Sequence, residues 1–447
     1  MRGSLLTSTS RAYIIIGAFL YIALIYYWNF PHPYYAALNI FTFATFAIFV
    51  WKAPRMKPHK YTVKRLWLTV FFYSLVFVAL YLLLSDYYTG NTYIFSEKDA
   101  RLYEDLSFRI KGLSYKEAIY YITVMGELPY DDWGAPMVMS YILKIIPAKL
   151  FINFIYVVLN TLSACMLFGL GRSIMDRRYA YTATLVYSIS SYSIFFMGSF
   201  LKEDMLLFLV IASMYMLYRN RVKKNRGSIL WGLAASVLIL FFRPAVAFGI
   251  WLAYITNFIF VERKRIVQII FAIIGIAVLF ISLSLIVENL MRYKSIGDDI
   301  FETSTLLTRL VLYAGGLFGP FPYMIQIEPL PSFKPLYGAG LLFKLLLFFA
   351  FWKGFIYCIR KRKSALFPIF TFVIIESLGL IMAMDSLELR KALPHIPFFI
   401  LAAFWFMYEF DFQPQKHLYF RFTKWEFNVC AVLVFVLTLM WNILNIE

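Results

Sequence analysis

The residues with chemical capacity in this chain fall into five short strings: Ser96-Glu-Lys-Asp-Ala-Arg-Leu-Tyr103, Asp131-Asp-Trp-Gly-Ala-Pro136, Phe200-Leu-Lys-Glu-Asp204, Phe242-Arg-Pro244 and Leu389-Arg-Lys-Ala-Leu-Pro-His-Ile-Pro397. Asp99 stands near the start of a helix, where a carboxylate offsets the helix dipole or serves as a general base. Asp131 and Asp132 carry the same ambiguity, since Asp is also favoured ahead of a turn or helix that begins with Pro. Lys202, Glu203 and Asp204 are three charges in what must be a tight turn between apolar runs; capping of the next helix and ligand binding are both open to them. Arg243 sits between two apolar runs, either as a snorkelling anchor or as a planar donor fork for a phosphate. Arg390, Lys391 and His395 precede another apolar run, as interfacial anchors or as ligands.

The remaining ionisable groups narrow the field. Glu376 is the one clear acid inside an apolar segment, whereas carriers that move ions through a membrane usually hold several such groups. The four histidines, His32, His59, His395 and His417, are too scattered for a metal site. Cys165, Cys358 and Cys430 show neither a CxxC pair nor a zinc-like spacing, so no disulfide framework or thiolate centre is implied.

The elements that position these groups must be membrane helices. Of 447 residues 62% are hydrophobic, 20% aromatic and 15% charged, against about 25% charged in soluble domains, which excludes a soluble globular enzyme. A span needs about 20 apolar residues. That window predicts an all-α, polytopic protein forming a single transmembrane domain over 1–447, with thirteen spans near 12–28, 35–51, 66–85, 150–171, 179–197, 204–218, 228–243, 245–261, 266–287, 339–357, 366–384, 396–410 and 427–444. The first follows Arg2 and Arg11 as a signal sequence would, but its length and aromatic content read as a retained span.

Orientation follows from the basic residues, which hold loops in the cytoplasm. With the N-terminus inside, the inner segments carry 27 of the 43 Lys and Arg residues but only five of the 25 Asp and Glu residues. The net charge of +18 is thus spent on short clusters between apolar runs, without the continuous basic face of a nucleic-acid binder. Two outer loops, 86–149 and 288–338, are too long to be mere connectors. In the first, Ser114 and Glu117 form a capping box that predicts a helix over about 115–125. Ala100, Tyr103, Leu106 and Ile110 share one face of a preceding interfacial helix. Pro136 suits a first helical position, opening a half-immersed helix over 137–146.

The order of these strings resembles the C-type (GT-C) membrane glycosyltransferases that draw a sugar from a polyprenyl-phosphate carrier, in their protein-mannosyltransferase-like and bacterial surface-glycan branches. The resemblance covers about residues 85–260 and 376–410. It implies sugar transfer at the outer face of a bacterial cytoplasmic membrane, in cell-envelope polysaccharide assembly, with a glycan, lipid or protein acceptor. It implies Asp99 as general base, with Arg243, Arg390, Lys391 and Lys202 around the donor phosphate. Glu203, Asp131, Asp132, Tyr103 and His395 become acceptor-binding or supporting groups. No cofactor is required, and a divalent cation is left open. Three departures stand out: two extra spans precede the acidic loop, Lys98-Asp99 replaces an Asp-Glu pair, and there is no large outer soluble domain. A lipid-linked oligosaccharide polymerase or ligase is the alternative enzyme. A lipid-linked glycan flippase is the alternative from another class, and it would place polar groups along a path through the spans.

Overall fold

The computed structural model describes residues 33–90, 92, 97–125, 132–223, 225–261, 266, 268–270, 273–277, 342–363, 365–383 and 393–412. The spans expected at 12–28 and 427–444, most of that at 266–287, the second outer loop, Asp131, Arg390 and Lys391 lie outside the described residues. Within them every regular element is helical. Three helices are long and apolar enough to cross a membrane: Val63–Tyr87, Lys149–Gly171 and Glu203–Val222. The count of thirteen spans is not reached among the described residues.

Helix α1 is Pro33–Lys52 and α2 is Val63–Thr89. Thr62 caps α2 by accepting from the Arg65 N–H at 3.2 Å. The helix stops at Gly90, whose φ of 66° suits a residue without a Cβ. Next come α3 (Glu97–Ile110) and α4 (Tyr115–Tyr120), the latter continuing into a π turn over Tyr121–Met125. The expected helix over 115–125 is therefore present but loosens in its second half. Its capping box is complete: Glu117 accepts from the Ser114 N–H at 2.9 Å, and Ser114 Oγ accepts from the Glu117 N–H at 3.4 Å. Hydrogen bonding to the Ser114 side chain first, and to its backbone N–H second, holds the Glu117 carboxyl below its ordinary range. Ala100, Tyr103, Leu106 and Ile110 are all buried, as their spacing requires.

Helix α5, Gly134–Ile145, packs on α3 and is too short to span. It begins earlier than Pro136 alone indicates, placing that proline third in the helix. Proline is tolerated there because the first-turn N–H groups have no intrahelical partner. The bundle itself comprises α6 (Lys149–Gly171), α7 (Arg177–Ser188), α8 (Ser191–Gly198), α9 (Glu203–Lys223), α10 (Arg226–Ile239), α11 (Pro244–Val261), α12 (Leu342–Lys361), α13 (Phe367–Ala383) and α14 (Ile396–Phe412). Helix α9 packs against α6, α10 and α11; α6 packs on α2 and α7; α14 packs on α7, α12 and α13.

One expected span is broken. Residues 179–197 form two helices, α7 and α8, because Ser190 caps α8 by accepting from the Ser193 N–H at 3.3 Å. The break at Ser188 and the end of α8 at Met197 each leave a backbone carbonyl without an intrahelical donor, and α6 supplies one to each. Asn160 Nδ2 donates to Ser188 O at 3.0 Å, and Asn153 Nδ2 donates to Met197 O at 2.9 Å. Both asparagines are buried. One side-chain amide of α6 thus satisfies the break and a second satisfies the end of α8, both at buried positions.

Candidate functional site

The described parts of four of the strings singled out in the sequence, at 97–103, 132–136, 200–204 and 242–244, meet where α3, α5, α9 and α11 come together. Helix α9 is preceded by Phe200, a fully buried residue with φ of 58°. A non-glycine residue in that region carries strain of about 1 to 3 kcal/mol. The kink ends α8, turns the chain inward and brings Lys202, Glu203 and Asp204 into the protein, where all three are buried. The Lys149 ammonium lies 5.4 Å from the Phe200 ring centroid. It also pairs at 3.4 Å with Glu104, fastening α3 to the start of α6.

Lys202 is the hub. Its Nζ donates to the Phe242 carbonyl at 2.8 Å and to Asp132 Oδ1. The same Asp132 oxygen accepts from the Tyr103 hydroxyl at 3.0 Å. Three segments, 103 on α3, 132 ahead of α5 and 202 ahead of α9, are thereby joined through one carboxylate. Asp99 lies one helical turn before Tyr103 on α3, half-buried, so the proposed base and the Asp132 contact share a helix face.

Arg243 makes a second pair, its guanidinium 3.5 Å from Glu203 Oε1. The Glu203 side chain is 1% exposed and that of Arg243 13%. Arg243 also interacts electrostatically with Glu376 on α13, so the one acid read inside an apolar segment belongs to this assembly. The Asp204 Oδ2 atom has no hydrogen-bond partner among the described residues. His395 is buried in a short 3-10 turn, Leu393–His395, that packs against α9, α13 and α14.

Two features escaped sequence reasoning. The first is the backbone of the turn before α11. Gly134 N donates to Phe241 O at 2.9 Å, and a Cβ at Gly134 would stand 2.6 Å from the Phe242 ring and 2.8 Å from that carbonyl. Only glycine lets the two turns touch, and its place between Trp133 and Ala135 was the available signal. The second is the Phe242 carbonyl as an acceptor for Lys202, which no residue type announces.

No group of three or more His, Cys, Asp or Glu residues suited to a metal ion occurs among the described residues. No protein-family model matches the chain, and no curated protein matches it either. What the assembly can do follows from its chemistry alone. Two cations and four carboxylates, Asp132, Glu203, Asp204 and Glu376, are gathered at one end of α9, and Asp99 lies on α3 one turn before Tyr103. That arrangement can bind an anion and accept a proton.

Proposed function

We propose that this chain is a C-type membrane glycosyltransferase with about thirteen spans, transferring a sugar from a polyprenyl-phosphate carrier to an acceptor at the outer face of the membrane. The observation that carries the reading is the convergence of Lys202 and Arg243, from separate turns 41 residues apart, at the edge of a helical bundle beside ionisable acids. Burying paired charges rarely improves stability over apolar packing, so their retention is better accounted for by a ligand that needs them.

The reaction requires little more than these groups. The acceptor hydroxyl oxygen attacks the anomeric carbon while the bond from that carbon to the phosphate oxygen breaks. Asp99 takes the hydroxyl proton. The electron pair of the broken bond stays with the phosphate, where Lys202 and Arg243, joined by Arg390 and Lys391, stabilise the growing charge. The outer loop 86–149 presents the acceptor, and the spans receive the lipid tail. Donor chemistry of this kind needs no cofactor, and the acceptor is a glycan, a lipid or a protein.

The decisive experiment reconstitutes the purified protein in nanodiscs with a panel of polyprenyl-phosphate sugars and an acceptor extract, and follows release of polyprenyl phosphate. Release dependent on both acceptor and Arg243 is expected. Failure of every donor in the panel to bind, or equal binding by Arg243→Ala protein, would sink the assignment.

A further inference from the structure

We infer that Asp132 is an internal competitor for the phosphate position at Lys202, and that it serves to expel the spent carrier. The inference rests on the proposed role of Lys202 and goes beyond it. A lysine ammonium has three donors and no acceptor. One donor is committed to the Phe242 carbonyl, a backbone group fixed by the turn before α11. The Asp132 contact differs in kind. Its side chain is 23% exposed against 11% for Lys202, so the carboxylate sits on the wetter side of the pair, where an incoming anion arrives.

The tether explains how a carboxylate competes with a phosphate. Asp132 is two residues from Gly134, whose N–H is bonded to Phe241 O, and its Oδ1 is steered by the Tyr103 hydroxyl. A group so held competes as an intramolecular ligand, at an effective concentration in the millimolar range. The charges along the reaction give this a direction. The donor is a phosphodiester with one negative charge, whereas the released carrier is a monoester carrying about −1.5 to −2 at neutral pH. Fixed cations therefore hold product more tightly than donor. Return of the Asp132 carboxylate to Lys202 lowers the affinity for both anions by the same factor, which keeps the tighter-held product from saturating the site. Displacing Asp132 also releases the start of α5 from Lys202.

The test measures the Kd of a polyprenyl monophosphate in nanodiscs for wild-type, Asp132→Asn, Tyr103→Phe and Lys202→Ala proteins. Asp132→Asn should bind about tenfold more tightly, since a close charged competitor is lost. Tyr103→Phe keeps the carboxylate but removes its guide and should bind about threefold more tightly. Lys202→Ala should bind weakly. Added polyprenyl monophosphate should raise amide hydrogen exchange at residues 132–137 of the wild type, a response absent in Asp132→Asn. Unchanged or weaker affinity in Asp132→Asn and Tyr103→Phe, with wild-type binding intact and dependent on Lys202, overturns the competitor while leaving the phosphate site standing. Tyr103→Phe decides the matter by itself if Asp132→Asn does not fold. Absence of binding in all four proteins removes the site and the competitor together.

Discussion

The two ends of α9 handle charge in opposite ways. At its start, Lys202, Glu203 and Asp204 are buried, and Lys202 and Glu203 pair with residues from other turns. About 30 Å away, at 1.5 Å per residue, its end meets a looser arrangement. There Arg221 donates to Asn257 Oδ1 at 3.1 Å, and Tyr218 donates to the backbone of Ala365. Lys363 nearby pairs with Glu409 at 3.5 Å with 40% of its side chain exposed. Charges at this second end are partly exposed or bonded to neutral groups, the kind that tolerates exchange. Those at the first end are desolvated, mutually dependent and costly to maintain. The contrast separates charge left partly in solvent from charge built into the interior.

The largest effect that would sharpen this contrast is catalytic. Asp99→Asn preserves size but removes the proton acceptor, and transfer should fall by about 10² to 10⁴ while the melting temperature holds. Retained turnover with a lowered melting temperature would reduce Asp99 to a helix-start carboxylate, and the base would be sought at Asp132 or Glu203. Next is Arg243→Ala, which removes the cation 3.5 Å from Glu203, a side chain only 1% exposed. Removing one partner of a buried pair costs about 3 to 5 kcal/mol. Adding Glu203→Gln should recover much of that stability in thermal unfolding but none of the phosphate binding. Recovery of both would make the pair purely structural.

Smaller still is Gly134→Ala, which drives a methyl into the Phe242 ring and the Phe241 carbonyl. Overpacking of this kind costs about 1 to 3 kcal/mol. It should appear as faster hydrogen exchange over α5 with α12 to α14 unaffected, and uniform destabilisation would contradict a local junction. The smallest change belongs to the other end of the bundle. Lys363→Ala should shift stability by about 1 kcal/mol or less, with transfer unaltered. A loss as large as that of Arg243→Ala would erase the distinction between the ends.

Much of the fold was legible because hydropathy and helix punctuation are local. The apolar windows placed α2, α6, α9 and α11 within a few residues of their bounds, and the Ser114–Glu117 box marked the start of α4. The break at Ser190 was hidden for a physical reason. Its serines are small enough to pass within an apolar run, and the group that satisfies it, Asn160, lies on another helix. The site was legible as a set of residue types but not as a wiring diagram. Nothing in the local sequence joins Lys202 to Asp132, 70 residues earlier, or Gly134 to the turn at Phe241. Phe200 was read only as part of a motif, since a left-handed backbone is invisible where the residue is not glycine.

The broken helix also bears on how the chain is made. Asn153 and Asn160 precede Ser188 and Met197 in the sequence, so during synthesis from the N-terminus the two amides enter the membrane before the carbonyls that need them. The helix that satisfies the break at Ser188 and the helix end at Met197 is thus made before either arrives. Exchanging the order of α6 and the α7–α8 pair in a permuted chain would present open carbonyls to lipid with no amide yet waiting. The finished protein would have the same contacts, but its insertion would stall at a step the natural order avoids.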